Sequence, residues 1–406
     1  MSRRSLNLRF FLLQGLLALL ECISTAYLAP ILFRFGYSPA RIGFVMTLAA
    51  LAATLARPLW GWLNDRLACA RQVTLGAAAA GVACFHLVTH SGGHLLSAAL
   101  GTMGLYVTMI CMTNFIDSWA MRLISTGSPL DYGVTRAGGS LFYAVGAAAF
   151  GAVAARHGFQ PGNTALVLLL LPMAAVTLSL PNPPRPAAPH AITLRQGLAS
   201  LTGNRTYLLM LAAFFLCTLD SSTMDSFYSV LILSLGGTER EVGIALFVQA
   251  ISEVPVMMGY ALIRRRLRIS PAAVLAFAMF FYGVKSLVFG FAPTWNAAVG
   301  AAVLQALSFA LLAPACVDFM LETVSPDYLA TAHLVFIAAG QGAAAVLGNS
   351  LGGVLADLWG VSAMFRVGSL LAFLASGVAL WTLRTGRRRE LPGISQNRNS
   401  SGTSSK

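Results

Sequence analysis

Charge is scarce in this chain. Only 10% of its 406 residues are Asp, Glu, Lys or Arg, and only 14 are acidic, whereas an ordinary soluble domain carries about 25% charged residues. With 57% hydrophobic residues, that deficit excludes a water-soluble globular protein. Cysteine is sparse too. Cys22, Cys69, Cys84, Cys111, Cys217 and Cys316 form no C-x-x-C pair, which argues against structural zinc and against a disulfide framework. No phosphate-cradling glycine loop, dinucleotide turn or nucleophile elbow occurs, so ATP drive and hydrolysis are unsupported and no cofactor or metal is expected. An enzyme would need clustered catalytic residues at a membrane face, and a sensor an appended soluble domain. Neither is visible.

What the chain has instead is long apolar runs. Twelve of them, about 8–33, 40–62, 72–89, 95–120, 137–156, 162–180, 206–234, 241–263, 272–291, 296–319, 331–356 and 362–383, match the roughly 20 residues a helix needs to cross a ~30 Å hydrocarbon core. Helices follow because a chain in lipid must satisfy its own backbone polar groups and no β-barrel alternation is present. The expected fold is therefore an all-α polytopic membrane protein with twelve transmembrane helices.

Two short stretches recur. Residues 35–43 read F-G-Y-S-P-A-R-I-G, and residues 235–243 read L-G-G-T-E-R-E-V-G. Likewise G-A-V-A-A-R-H-G at 151–158 returns as G-V-L-A-D-L-W-G at 353–360. Two echoes at nearly one offset point to a duplicated unit, the architecture of secondary transporters with a substrate site between repeats. The expected organisation is an N-terminal six-helix half at 1–180, a proline-rich linker at 181–205, a C-terminal half at 206–384 and a polar, disordered tail at 385–406. Part of the linker, 192–202, reads as an amphipathic surface segment.

The formal charge of +13 is a topology signal rather than a nucleic-acid signal. Most arginines, including Arg3, Arg4, Arg66, Arg71, Arg264, Arg265, Arg266 and Arg268, fall on one side of the span map. Only Arg34, Arg41, Arg156, Arg240 and Arg366 fall on the other. The positive-inside rule then places both termini in the cytoplasm of a cell (inner) membrane protein.

A charge at mid-bilayer costs about 2.5–3.5 kcal/mol on insertion scales, so each one raises a functional question. The set is Glu21, Arg57, Asp117, Arg136, Asp220, Asp225, Glu253 and Lys285, with Asp318 at a span end and open to solvation. Helical spacing aligns Gln14, Glu21 and Thr25; Tyr106, Thr113 and Asp117; and Gln249, Glu253 and Tyr260 as polar stripes. Stripes on several helices point to a shared aqueous cavity; buried ion pairs that fix helix register are the structural alternative. Asp117 and Arg136 flank one short turn at comparable distances, so they can come level and pair. Asp220 and Asp225 lie about 140° apart around a helix. One of them is expected to face the cavity and the other to pair with a neighbour, Lys285 being the only lysine within a span.

The stretch Arg57-Pro-Leu-Trp-Gly61-Trp-Leu-Asn-Asp65-Arg66 resembles the G-x-x-x-D-R signature of the major facilitator superfamily, with Ala68 in place of its later glycine. That resemblance makes Gly61, Asp65 and Arg66 a gating and packing element. The stretch Asp131-Tyr-Gly133-Val-Thr-Arg136-Ala-Gly-Gly139-Ser140 is similar to the helix-5 opening of the branch holding lactose permease, nucleoside permeases and phenylpropionate-type permeases. The resemblance implies that Asp117 and Arg136 hold substrate and that Glu253, in Ser-Glu-Val-Pro, matches the branch's helix-8 glutamate. Tyr106 and Gln249 join them as binding candidates. Glu253, Glu21, Asp220, Asp225 and Lys285 are candidates for proton coupling. The helix-10 His and Glu of lactose permease have no counterpart in Leu304-Gln-Ala-Leu-Ser-Phe-Ala-Leu-Leu312. The expected activity is proton-coupled symport of a small polar organic solute, sugar or glycoside before nucleoside or aromatic acid, by a monomer in the bilayer. The rival within the class is an exporter of drugs, siderophores or metabolites.

Overall fold

Apolar runs become helices here because lipid offers the backbone no partners, and caps at their ends set where each begins. The computed structural model describes residues 3–66, 70–182, 194–325 and 328–387. Twelve of its helices are long and apolar enough to cross a membrane: α1 Arg3–Arg34, α2 Pro39–Trp60, α3 Ala70–Thr89, α4 Leu95–Ile124, α5 Tyr132–His157, α6 Pro161–Ser179, α7 Arg205–Ser234, α8 Glu239–Leu267, α9 Pro271–Phe291, α10 Trp295–Thr323, α11 Thr331–Trp359 and α12 Val361–Leu383. Each overlaps one of the twelve apolar runs. Asp131 caps α5 by accepting from the Val134 amide at 3.3 Å, and Thr238 with Glu241 forms a capping box on α8. A short helix, Leu194–Thr202, precedes α7. Most of the proline-rich linker (183–193) and the tail from 388 lie outside the described residues, as does Cys69; the last helix itself continues to Arg387.

Four spans depart from regular winding. α1 is interrupted at Ala26–Tyr27. α4 contains a π-helical turn, Tyr106–Ile110, and α11 another, Ala338–Ala344. In α10 the segment Ala302–Ala306 winds as a tighter 3₁₀ helix. Such departures redirect side chains relative to a regular helix, and two of them matter below.

Helix packing repeats. In the first six spans α1 packs on α5 and α6, α2 on α4, and α3 on α4 and α6. In the last six, α7 packs on α11 and α12, α8 on α10, and α9 on α10 and α12. Each pairing recurs six helices later, which makes the fold two pseudo-symmetric six-helix bundles. The bundles meet along α2–α11 and α5–α8, two contacts that exchange under the same symmetry.

The repeated sequence stretches are what build those contacts. Gly36 and Gly236 both adopt positive φ, 78° and 85°, to turn the chain into α2 and α8. A Cβ placed on Gly43 would lie 2.8 Å from the Gly353 Cα and 2.4 Å from the Asn349 carbonyl oxygen. On Gly243 it would lie 3.1 Å from the Gly151 Cα and 2.4 Å from the Ala147 carbonyl oxygen. Each echo of one bundle thus packs against the other echo of its partner. Both contacts lie toward the face opposite the chain ends, where Thr47 also meets Ser350 at 2.8 Å and Tyr27 donates to the Ala147 carbonyl at 2.6 Å. Outward-facing leucines such as Leu96, Leu171 and Leu262 stay exposed. An apolar outer surface of this kind suits lipid rather than water.

Candidate functional site

A cavity of about 450 Å³ lies between the bundles, lined by residues of α1, α4, α5, α7, α8, α9 and α10. From the terminus-bearing side Arg136 reaches it with 47% of its side chain accessible. Five of the candidate site residues read from the sequence stand on its wall, Glu21, Arg136, Asp225, Gln249 and Glu253, with Thr113 of the α4 stripe beside them. They come from both bundles, so the wall is assembled only when the two meet.

On the first-bundle side, Glu21 accepts from Thr113 at 3.1 Å. Asp117 stands just behind the wall, where Gln14 Nε2 donates to its Oδ1 at 2.7 Å and Arg136 Nε approaches its Oδ2 at 3.9 Å. The expected pairing of Asp117 and Arg136 across the α4–α5 turn is present, though at a distance beyond a hydrogen bond. The guanidinium therefore keeps donors for the cavity. Gly139, one helical turn further along α5, leaves it room: a Cβ there would sit 3.2 Å from Arg136 Nη1.

On the second-bundle side, Glu253 Oε1 accepts from Gln305 Nε2 at 2.8 Å. Gln305 in turn accepts from Lys285. This corrects one expectation. Among the described residues Lys285 forms an ion pair with neither aspartate; its ammonium donates to Gln305 instead. Asp225 faces the cavity, while Asp220 turns away and is 2% exposed. Its Oδ1 accepts from Ser286 Oγ at 2.8 Å, in space that Gly368 keeps open, since a Cβ there would lie 2.1 Å from that oxygen. The ~140° between the two aspartates accounts for their opposite orientations.

Two further placements depart from the stripes counted on regular helices. Tyr106 is off the cavity wall, its hydroxyl 3.7 Å from Met46 Sδ. The π-helical turn at Tyr106–Ile110 adds a residue to that turn, which rotates Tyr106 out of line with Thr113 and Asp117. Tyr260 points to Asp318 Oδ2 at 3.0 Å rather than to the cavity. Asp318 is not merely solvated, for it and Glu322 both bind Arg264. Arg57 donates to Gln341 at 3.0 Å, reaching α11. Gly61, Asp65 and Arg66 end the helix Pro39–Arg66; the side chains of Asp65 and Arg66 lie outside the described residues.

The cavity also holds residues that the stripes did not include: Tyr143, Tyr228, Tyr282 and Gln305. A signal for each existed. Tyr143 is seven residues from Arg136, Tyr228 three from Asp225 and Tyr282 three from Lys285, all same-face spacings. Gln305 is visible as an amide in the interior of an apolar span. Tyrosine hydroxyls, amides, carboxylates and one guanidinium around a moderate volume make a site that binds a polar molecule by hydrogen bonds and flat ring contacts. Among the described residues no group of three or more His, Cys, Asp or Glu side chains is arranged to hold a metal.

Known proteins with this geometry are transporters. The chain is 29% identical over 87% of its length to a maltose permease of Geobacillus stearothermophilus, covering 87% of that protein. It is 24% identical to a putative sugar efflux transporter of Deinococcus radiodurans, over 91% of this chain and 97% of the other. The solved structure of the nucleoside transporter NupG superposes with a TM-score of 0.78 at 16% identity, over 93% of this chain and 99% of that one. The MFS_1 like family profile matches residues 4–367. With its twelve membrane-spanning helices, two related bundles and a polar cavity between them, the chain belongs to the MFS_1 like family and is a multi-pass membrane transporter of the major facilitator type, not an enzyme.

Proposed function

We propose that this transporter carries a small polar organic solute, of the sugar or glycoside class, together with a proton, by rocking its two bundles about the central cavity. The observation that carries the reading is that Arg136 from one bundle and Glu253 from the other face one polar cavity. A solute bound to both links the bundles, so its occupancy bears directly on their rocking. Arg136 offers a planar fork of donors suited to adjacent hydroxyls. Glu253 offers an acceptor, and Tyr143, Tyr228 and Tyr282 offer rings on which a sugar face rests. Proton coupling requires a carboxylate reached from each side in turn, and Glu253, Glu21 and Asp225 share this cavity; Asp220 would act from behind it. The maltose permease relative supports the sugar class. The protein is read as a monomer in a cell (inner) membrane, and the arginine asymmetry supports a topology with both termini cytoplasmic.

Replacing Glu253 by Gln tests this. In proteoliposomes with an imposed pH gradient, the native protein accumulates labelled maltose and Glu253→Gln only exchanges it. Unchanged accumulation by the variant removes Glu253 from the coupling step. Export is the second reading, favoured by the sugar efflux relative; it calls for accumulation only when the gradient is reversed. Competition by uridine but not by glycosides would move the solute class to nucleosides, as the NupG fold allows.

A further inference from the structure

Lys285 is a buried cation that forms no direct ion pair with a carboxylate among the described residues. It is 1% exposed, and it takes part in none of the ion pairs among the described residues. The rings of Tyr282 and Phe289 lie 5.9 and 5.5 Å from its Nζ, and its hydrogen bond goes to Gln305 Oε1. The other end of the same amide, Nε2, donates to Glu253 Oε1 at 2.8 Å. Three helices thus meet through one side chain: α9 supplies the ammonium, α10 the amide and α8 the carboxylate. The amide sits in the 3₁₀ stretch Ala302–Ala306, whose tighter winding separates it from the regular face of α10.

The direction of this chain of bonds is fixed by chemistry. An ammonium has three donors and no acceptor, while an amide has one end of each kind. If the Gln305 amide flipped, its NH₂ would confront the ammonium and its oxygen would confront the Glu253 carboxylate. Two buried contacts would be lost together, each leaving a charged group unsatisfied. We propose that Gln305 is a positioning residue, locked by Lys285 so that its Nε2 always faces Glu253, holding one carboxylate oxygen and leaving the other to solute or proton. Lys285 thereby acts on the cavity without entering it. The proposal rests on Glu253 being the working carboxylate of the cavity. The other charged groups facing Glu253 are Lys285 on α9, Asp225 on α7 and Arg136 on α5, with Glu21 of α1 on the same wall.

The test needs no substrate. Infrared spectra of the full-length protein in lipid nanodiscs, with the Glu253 band assigned by subtraction of Glu253→Gln, are recorded across a pH titration. Gln305→Leu and Lys285→Met are each expected to move the Glu253 midpoint in the same direction by about one pH unit, the scale of losing a hydrogen bond to a charged group. The double variant is expected to move it by less than the sum of the two single shifts, because both changes break one chain and only the direct pull of the Lys285 charge on Glu253 is added. A native midpoint in Lys285→Met, or additive shifts in the double variant, overturns the lock. Should Lys285→Met fail to fold, Lys285→Gln decides: its neutral amide can face Gln305 with either end, so it no longer fixes the Gln305 orientation. Its midpoint is expected to move in the same direction as in Lys285→Met, and a native midpoint overturns the proposal. Failure of the native protein to accumulate maltose would count against the transport reading alone and leave this titration standing.

Discussion

Arg34 grips Glu239 at two points, Nε to Oε1 at 2.6 Å and Nη2 to Oε2 at 2.9 Å, and so ties the end of α1 to the start of α8. The bond crosses between bundles on the face opposite the chain ends. It is one-sided: the repeat places Ser234 where Arg34 stands and Pro39 where Glu239 stands, so symmetry supplies no second bridge. Glu239 is 1% exposed, and Arg34 is largely open to solvent. Arg34→Ala leaves a buried carboxylate unpaired, at a cost of about 1–3 kcal/mol. Glu239→Gln leaves only a neutral amide and costs less. Melting temperatures of the two variants check this; equal losses would show that the bridge adds nothing beyond packing.

The glycine contacts are expected to control closure of the same face. Gly43 and Gly243 each meet backbone atoms of the other bundle, and backbone cannot step aside as a flexible side chain can. Gly243→Ala is expected to cost about 1–3 kcal/mol of overpacking in the closed arrangement. That is about a fivefold to 150-fold loss of its population. Spin labels at the exposed positions Arg41 and Asp357 report the separation of α2 and α11 for the matching Gly43→Ala change. A lengthened distance with retained maltose binding is the expected result, and an unchanged distance distribution counts against the seal.

Arg136 carries the sharpest test of the binding site. Asp117 already accepts from Gln14 and lies 3.9 Å from Arg136 Nε, so the guanidinium is held near the carboxylate without being consumed by it. Arg136→Lys keeps the charge but loses the fork. Maltose affinity is expected to fall tenfold or more, about 1.4 kcal/mol, while the melting temperature stays close to native. Native affinity in Arg136→Lys would reduce Arg136 to a structural bridge, in which case Arg136→Ala should instead lower the melting temperature.

Asp318 offers a contrast, because it is bound away from the cavity. Arg264 joins it to Glu322, and Tyr260 adds a hydrogen bond at 3.0 Å. Asp318→Asn is expected to lower stability by about 1 kcal/mol, the scale of a partly exposed ion pair, and to leave maltose affinity unchanged. A loss of affinity without a loss of stability would move Asp318 into the transport machinery.

The sequence by itself determined the twelve spans, the duplicated plan and five of the charged or amide residues on the cavity wall. Spans are legible because hydrocarbon demands some twenty apolar residues and tolerates few charges. The duplication is legible because the same glycines serve the same contacts twice, at Gly43 and Gly243 and at Gly151 and Gly353. Helical counting also turned Asp220 and Asp225 to different faces. Only the tertiary structure decided which residues actually meet. The π-helical turn of α4 moved Tyr106 off the cavity, and no periodicity of 3.6 could foretell it. Lys285 donates to Gln305, which sits in the tightly wound stretch of α10 and also reaches Glu253 of α8. In the sequence Gln305 is an ordinary amide, since an amide between two charges has meaning only once the three helices that carry them are packed. Pattern along a chain follows local solvation and helix geometry; pairing across it depends on how rigid helices lean, which single-residue changes in winding redirect.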